Sequence, residues 1–379
     1  MAKFKYILSA IFVAFITISL PVMVLITQDD QIIKSENRKV TAFPLIHNFS
    51  KREVKDFIEK LNKYVEDRMP FKEYVYQNFA RYYRKNTVSA DFSRTVEGND
   101  GWLFLGNDYN NVLNQHTRPV PLDEIKQRDF VTNIKEMMAA YPSAYTTVLV
   151  CPDKHGIYWE NIPRYISSLT EQRLAEKKIA DLKENNINVI DLYSALKKGK
   201  EAENIYYKTD THWNPKGAEV GFKEFYRQLS EKINLAKLDF DLYEYDTNNN
   251  FKGDLTSYGG YLWLDESVLV FKHKYKVNWI FNGEARSDYT DLSPDLWMPT
   301  SSSFVTNKKA PNKLRVFWCG DSFSTSLAPF ITLSFENIHY IAKKQCLVSN
   351  KELIKDIKDF KPDLIVWQTV ERDLSNKID

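Results

Sequence analysis

Five short apolar runs, rich in β-branched residues and barely interrupted by charge, constrain this chain more than any other feature. They are YTTVLVCP (145–152), INVIDL (187–192), KLRVFWCG (313–320), NIHYIA (337–342) and PDLIVWQTV (362–370). A strand with one wet face alternates apolar and polar residues. A strand that is apolar on both faces belongs in a parallel sheet covered by helices on either side. Helical patterns fall between the runs, at 122–141, 170–184, 215–232 and 351–360. In the third, Asn214 is placed to cap the helix and Pro215 suits its first turn. Ala218, Phe222, Phe225 and Leu229 recur at helical spacing as its buried stripe. The alternation predicts an open, doubly wound α/β domain with its site at the carboxyl edge of the strands.

The ends of the chain read differently. Lys3 and Lys5 precede an uncharged run from Tyr6 to Thr27, which matches the ~20 residues a membrane-crossing helix needs. Basic residues before the run and Asp29-Asp30 after it orient the N-terminus to the cytoplasm and the rest outside. An uncleaved signal anchor over 1–27 is therefore expected, with a cleaved signal peptide as the alternative. Residues 28–95 read as a polar tether, broken by Pro44, followed by a helical stalk. Val54, Ile58, Leu61 and Val65 align on one face, Pro70 bends the helix, and Phe71, Val75 and Phe79 resume the stripe. Residues 96–379 form the α/β domain. Its strand–helix alternation lapses at about 240–310, where an insertion of irregular loop and hairpin is expected.

Composition narrows the function. A net charge of +2 on 379 residues gives no basic footprint for nucleic acid. The six histidines are scattered and no zinc spacing occurs, so neither metal nor cofactor is implied. Three cysteines, Cys151, Cys319 and Cys346, are too few for a disulfide framework. They read as small buried thiols, with one pair free to bridge if neighbouring strands bring it together. Aromatic residues reach 14%, most of them accounted for by a large core, although such rings also stack on sugars.

Two segments carry chemistry. In FWCGDSFSTS, Ser322 follows a strand and precedes a helix, where the helix N-terminus and the Ser322 N–H would favour a developing oxyanion. The plainer reading is that Asp321 or Ser322 caps the helix. In YYKTDTHWNPKG, Asp210 and His212 are one residue apart and can project to the same side. A serine near neutral pH needs such a base, held in one tautomer by a carboxylate. A polar loop bonded to its own backbone is the plainer reading here. Trp213 either closes one side of the site or packs in the core. Lys154 and Arg372 follow predicted strands and either face the site or make surface ion pairs.

Taken together, GDSF, TDTHWN and DGWLFLGND (100–108) resemble the AlgJ/AlgX family of SGNH-hydrolase-like polysaccharide O-acetyltransferases. So do SENRKVTAFP, DRMPFKEYV, PDKHGIYWENIP, GDL (253–255) and KPDLIVWQTVERDL, in that order along the chain. The resemblance implies Ser322 as nucleophile, His212 as base and Asp210 as its orienting acid. It leaves Lys154, Trp213 and Arg372 as candidate oxyanion or substrate contacts. GDS follows Asp-x-His here, the reverse of ordinary SGNH hydrolases, as in the circularly permuted relatives. No segment after the last strand corresponds to the C-terminal carbohydrate-binding module of AlgX-type proteins, so AlgJ-like is the closer description.

The implied activity is O-acetylation of an exported polysaccharide outside the cytoplasmic membrane, with a membrane-bound O-acyltransferase as acetyl donor. A carbohydrate esterase with the same three residues is one alternative, and a non-catalytic scaffold in polysaccharide export is another.

Overall fold

The computed structural model describes residues 32–33, 38–45, 51–68, 94–163, 166, 169–240, 243–259, 261, 264–273, 279–286, 302–346 and 350–375. The expected anchor at Tyr6–Thr27 and the stalk beyond Pro70 lie outside them. Among the described residues no helix is long and apolar enough to cross a membrane. The chain divides into two units: residues 1–90 with Asp254–Leu264, and Asp91–Gly253 with Asp265–Asp379.

In the first unit, the expected helix runs over Lys51–Asp67. Asp67 closes it against the tether by accepting from Thr41 N–H and Thr41 Oγ1, both at 2.7 Å. A short antiparallel pair, Ile32–Ile33 with Arg38–Lys39, lies within the stretch read as a plain tether.

The second unit is built on one eight-stranded sheet. Its strands are β1 (Tyr145–Cys151), β2 (Val189–Asp191), β3 (Trp279–Phe281), β4 (Glu284–Arg286), β5 (Ser303–Thr306), β6 (Asn312–Gly320), β7 (Phe335–Ala342) and β8 (Leu364–Val370). In space they run β4-β3-β5-β7-β6-β8-β1-β2. All five apolar runs became strands, paired in parallel from β7 through β2. The last strand, β8, is inserted between β6 and β1.

Successive residues of these strands bury on opposite faces. Leu149, Cys151, Val316, Trp318 and Val366 share a core with Phe222 and Leu229 of α3 (Pro215–Ser230) and with Leu327 and Phe330 of α4 (Ser324–Ser334). Val148, Val150, Phe317, Ile365 and Trp367 face α1 (Glu124–Ala140), α2 (Leu174–Glu184) and α5 (Asn350–Phe360) through Ile134, Leu182 and Ile357. Each such side chain, fully buried, contributes about 1.5–3 kcal/mol. Asn214 caps α3 as its sequence position implied, accepting from Lys216 and Gly217 N–H at 2.9 and 3.0 Å.

One expectation needs correction, and the pairing left open for the cysteines is decided. The insertion is more than loop and hairpin. Tyr243–Phe251 and Glu266–His273 do form an antiparallel hairpin, but β3, β4 and β5 join the main sheet antiparallel and make it mixed. Short strands of ambiguous composition acquire their state from the edge they pair with. Of the three cysteines, Cys319 and Cys346 form a disulfide, since β6 and the turn after β7 bring them together, and Cys151 stays a buried thiol.

Candidate active site

The carboxyl edge of β6 ends at Gly320, followed by Asp321, Ser322 and the start of α4. The position of Ser322 is set by Asp321. Its Oδ1 accepts from Phe323 N–H at 3.0 Å and from Gln368 Nε2 at 2.8 Å, and its Oδ2 accepts from Val370 N–H at 2.6 Å. One carboxylate thus ties the turn to β8. Gly320 is needed for space: a Cβ there would meet Ser324 Oγ at 2.1 Å and Gln368 Oε1 at 2.9 Å.

The second segment arrives from the loop before α3. Residues 207–212 form no regular element, between an isolated bridge of Tyr206 with Trp213. Asp210 Oδ1 accepts from the His212 backbone N–H at 2.9 Å and lies 2.7 Å from His212 Nδ1. His212 Nε2 lies 2.7 Å from Ser322 Oγ. With the proton on Nδ1, His212 donates to Asp210 and accepts from the Ser322 hydroxyl. The side chains of His212 and Asp210 keep 25% and 13% of their accessible surface, so the line is reachable from solvent. Phe323, fully buried, packs on the His212 ring at 4.9 Å.

The other three sequence candidates are all buried. Trp213 is wholly buried, donates from Nε1 to the Phe323 carbonyl at 3.2 Å and packs edge-on against Phe323. It belongs to the core, because helix α3 begins two residues after it and sets Gly221 against the indole and Gly217 against its Cβ. Lys154 is no surface ion pair, being 2% exposed. Its ammonium donates to the carbonyls of Tyr207, Lys208 and Asp210 at 3.1, 3.2 and 2.6 Å. Arg372 is also buried. Its Nη1 pairs with Asp153 and its backbone N–H donates to the same carboxylate at 3.0 Å, while the guanidinium lies 5.8 Å from the Phe323 ring centre.

A buried ionic cluster stands behind these residues, and sequence reasoning missed it. His116 Nε2 lies 3.2 Å from Glu371 Oε1, Glu371 also pairs with Arg173, and the rings of His116 and His155 stack at 5.4 Å. Burial alone would lower the His116 pKa, but the Glu371 and Asp153 carboxylates reverse this and raise it to about 9. Burial, reinforced by the His116 charge, holds His155 down at about 3. Burial would raise Asp153, but the Arg372 guanidinium holds it below the usual carboxylate range. His116, Asp153 and Glu371 bring ligand atoms within 4.8 Å of one another. Two guanidiniums already neutralise those carboxylates, which opposes a cation there.

Residues 95–278 match the family model described as SGNH hydrolase-like domain, acetyltransferase AlgX, a match that ends before Ser322. A probable alginate O-acetylase AlgJ of Pseudomonas syringae pv. tomato is 25% identical over 167 residues, 43% of this chain. The match spans only 40% of that relative's length. Among solved structures, Bacillus cereus PatB1 with a sulfonyl adduct aligns with a TM-score of 0.56 at 14% identity, over 74% of this chain and 95% of its own. The O-acetyltransferase domain of Pseudomonas putida AlgJ aligns at 0.51 and 19%, over 76% and 94%. At these identities the structural likeness concerns the fold.

Proposed function

Starting from an AlgJ/AlgX-like chain, with an SGNH hydrolase-like acetyltransferase domain matched over residues 95–278, we propose that it O-acetylates a polysaccharide through an acyl-enzyme on Ser322. The observation that carries this reading is the unbroken line from Asp210 through His212 to Ser322, each contact 2.7 Å, at the carboxyl edge of the sheet. Ser322 Oγ attacks the acetyl carbonyl of the donor while His212 Nε2 takes its proton. That proton passes to the donor's leaving group as the carbonyl–donor bond breaks. A sugar hydroxyl then attacks the acetyl-serine, His212 removes its proton, and the proton returns to Ser322 as the ester forms. Asp210 holds the Nδ1–H tautomer throughout. The Ser322 N–H is the proposed oxyanion donor, with the positive end of the α4 dipole behind it.

The acceptor is an exported polysaccharide, and the donor a membrane-bound O-acyltransferase that relays acetyl across the membrane. The domain works outside the cytoplasm, tethered through residues 6–27. The lysines before that uncharged run support this orientation.

The test is to mix the protein with p-nitrophenyl acetate and a neutral oligosaccharide. Acetyl-Ser322 is then sought by peptide mass spectrometry, and acetyl-sugar and acetate are measured together. Acetyl-sugar from wild type and none from Ser322→Ala is expected. A folded Ser322→Ala that still transfers acetyl removes Ser322 from the mechanism, and a wild type releasing only acetate makes the protein an esterase.

A further inference from the structure

The segment carrying Asp210 and His212 makes almost no regular backbone pairing, yet it must hold a carboxylate and an imidazole to a fraction of an ångström. Its amide groups are met instead by two charged side chains of opposite sign. From one side, the Lys154 ammonium takes the carbonyls of Tyr207, Lys208 and Asp210, which uses all three of its donors. From the other, the Glu266 carboxylate takes the N–H groups of Lys208 and Thr209 at 2.9 and 2.7 Å and the Thr209 hydroxyl at 2.6 Å. The same hydroxyl accepts from Gly253 N–H at 3.1 Å. The two peptide planes joining Tyr207 to Lys208 and Lys208 to Thr209 therefore lie with their carbonyl ends on a cation and their N–H ends on an anion.

Each arm rests on a stiff element. Lys154 opens the helical turn Lys154–Ile157 three residues beyond the end of β1, and its ammonium lies 5.3 Å from the Phe104 ring centre. Glu266 is the first residue of the strand Glu266–His273. Burying an ammonium is costly unless it is well bonded, and an apolar side chain of like length would fill the space more cheaply. What the ammonium adds is orientation of the carbonyls.

We infer that Lys154 and Glu266 are positioning residues, a two-sided electrostatic clamp that aims Asp210 and through it the His212 imidazole at Ser322. This inference rests on the proposed acyl-enzyme. Because a misplacement of about 1 Å can cost on the order of a hundredfold in rate, the clamp acts on the rate of acylation rather than on binding.

The experiment follows the burst of p-nitrophenol from p-nitrophenyl acetate as a function of pH, in full-length wild type, Lys154→Met, Lys154→Arg and Glu266→Gln. Circular dichroism and thermal melts accompany each. Lys154→Met is expected to slow the burst about ten- to a hundredfold with little change in KM. Lys154→Arg, which keeps the charge and the donors, recovers much of the lost rate. Glu266 is only half-buried, so Glu266→Gln tests the clamp without disturbing the core and slows the burst at an unchanged melting temperature. Wild-type burst rates in folded Lys154→Met or Glu266→Gln overturn the clamp and leave the acyl-enzyme standing. A wild type with no burst and no acetyl-Ser322 overturns both.

Discussion

Asp321 and Gln368 exchange two hydrogen bonds across neighbouring strands. The Asp321 backbone N–H donates to Gln368 Oε1 at 2.9 Å, and Gln368 Nε2 donates to Asp321 Oδ1 at 2.8 Å. Gln368 is fully buried, and its Oε1 also accepts from Ser324 Oγ at 2.5 Å. The residue before Ser322 and the one two beyond it are thus held by a single amide. Gln368→Met removes these partners and leaves buried polar groups unpaired, at about 1–3 kcal/mol each. Its melt should fall and its p-nitrophenol burst should slow relative to wild type. Equal bursts in wild type and Gln368→Met would remove Gln368 from the positioning of Ser322.

Gly253 approaches the base-bearing segment so closely that a Cβ would meet the Thr209 carbonyl oxygen at 2.3 Å and Asp210 Cα at 2.5 Å. Both are backbone atoms and cannot swing aside. Gly253→Ala should displace Asp210 and slow acylation of Ser322 about tenfold or more. The measurement is burst rate against burst amplitude in folded protein. A normal rate would mean that the loop accommodates a methyl group without moving Asp210.

Trp213 packs in the core rather than against a sugar. Trp213→Ala should therefore cost about 3–5 kcal/mol of stability, read by urea denaturation. In the fraction that remains folded, the ratio of acetyl-sugar to acetate should equal that of wild type. A raised share of acetate would instead assign the indole to shielding the acyl-enzyme.

His116 makes stability fall on the alkaline side. Its folded pKa of about 9 lies above the ordinary value of 6.5, so the protonated ring is favoured by the fold. That contribution is complete below about pH 6.5 and is lost as pH rises through about 9. The stability difference between wild type and His116→Gln should be largest near pH 6 and shrink toward pH 9, in urea melts at a series of pH values. A difference independent of pH would contradict a buried imidazolium.

His339 acts in the opposite direction. Burial lowers its pKa to about 4, and neither ring nitrogen has a partner among the described residues. Its ring stacks on Phe304 at 4.0 Å and meets Phe317 and Phe360 edge-on. The stability it permits is present above about pH 6.5 and lost as pH falls toward 4, because the unfolded chain takes up the proton first. His339→Phe removes two unsatisfied polar atoms, a change that is neutral to stabilising by about 1 kcal/mol. It should raise the melting temperature most clearly at pH 5. A lower one at every pH would show that the aromatic box needs the smaller ring.

The strands and helices of the α/β domain were legible because their signals are local. A run such as LIVWQTV, apolar on both parities, has nowhere to go but a doubly covered sheet, and the Asn-Pro start and 3-4 stripe of α3 need no distant partner. The edge strands β3 to β5 were not legible. Their residues fit strand or loop alike, and the pairing of β5 with β7, β3 with β5 and β4 with β3 decided the matter.

The same division runs through the site. The residue types and the Asp-x-His and GDS spacings named Asp210, His212 and Ser322 as candidates from the sequence alone. Only the tertiary structure brings Nε2 within 2.7 Å of an oxygen 110 residues away, puts Lys154 and Arg372 inside rather than on the surface, and joins Cys319 to Cys346. A Lys reads the same in sequence whether its ammonium meets water or three carbonyls. Which it meets depends on where β1 ends relative to residues 207–210, a distance set by packing rather than by any neighbour in the chain.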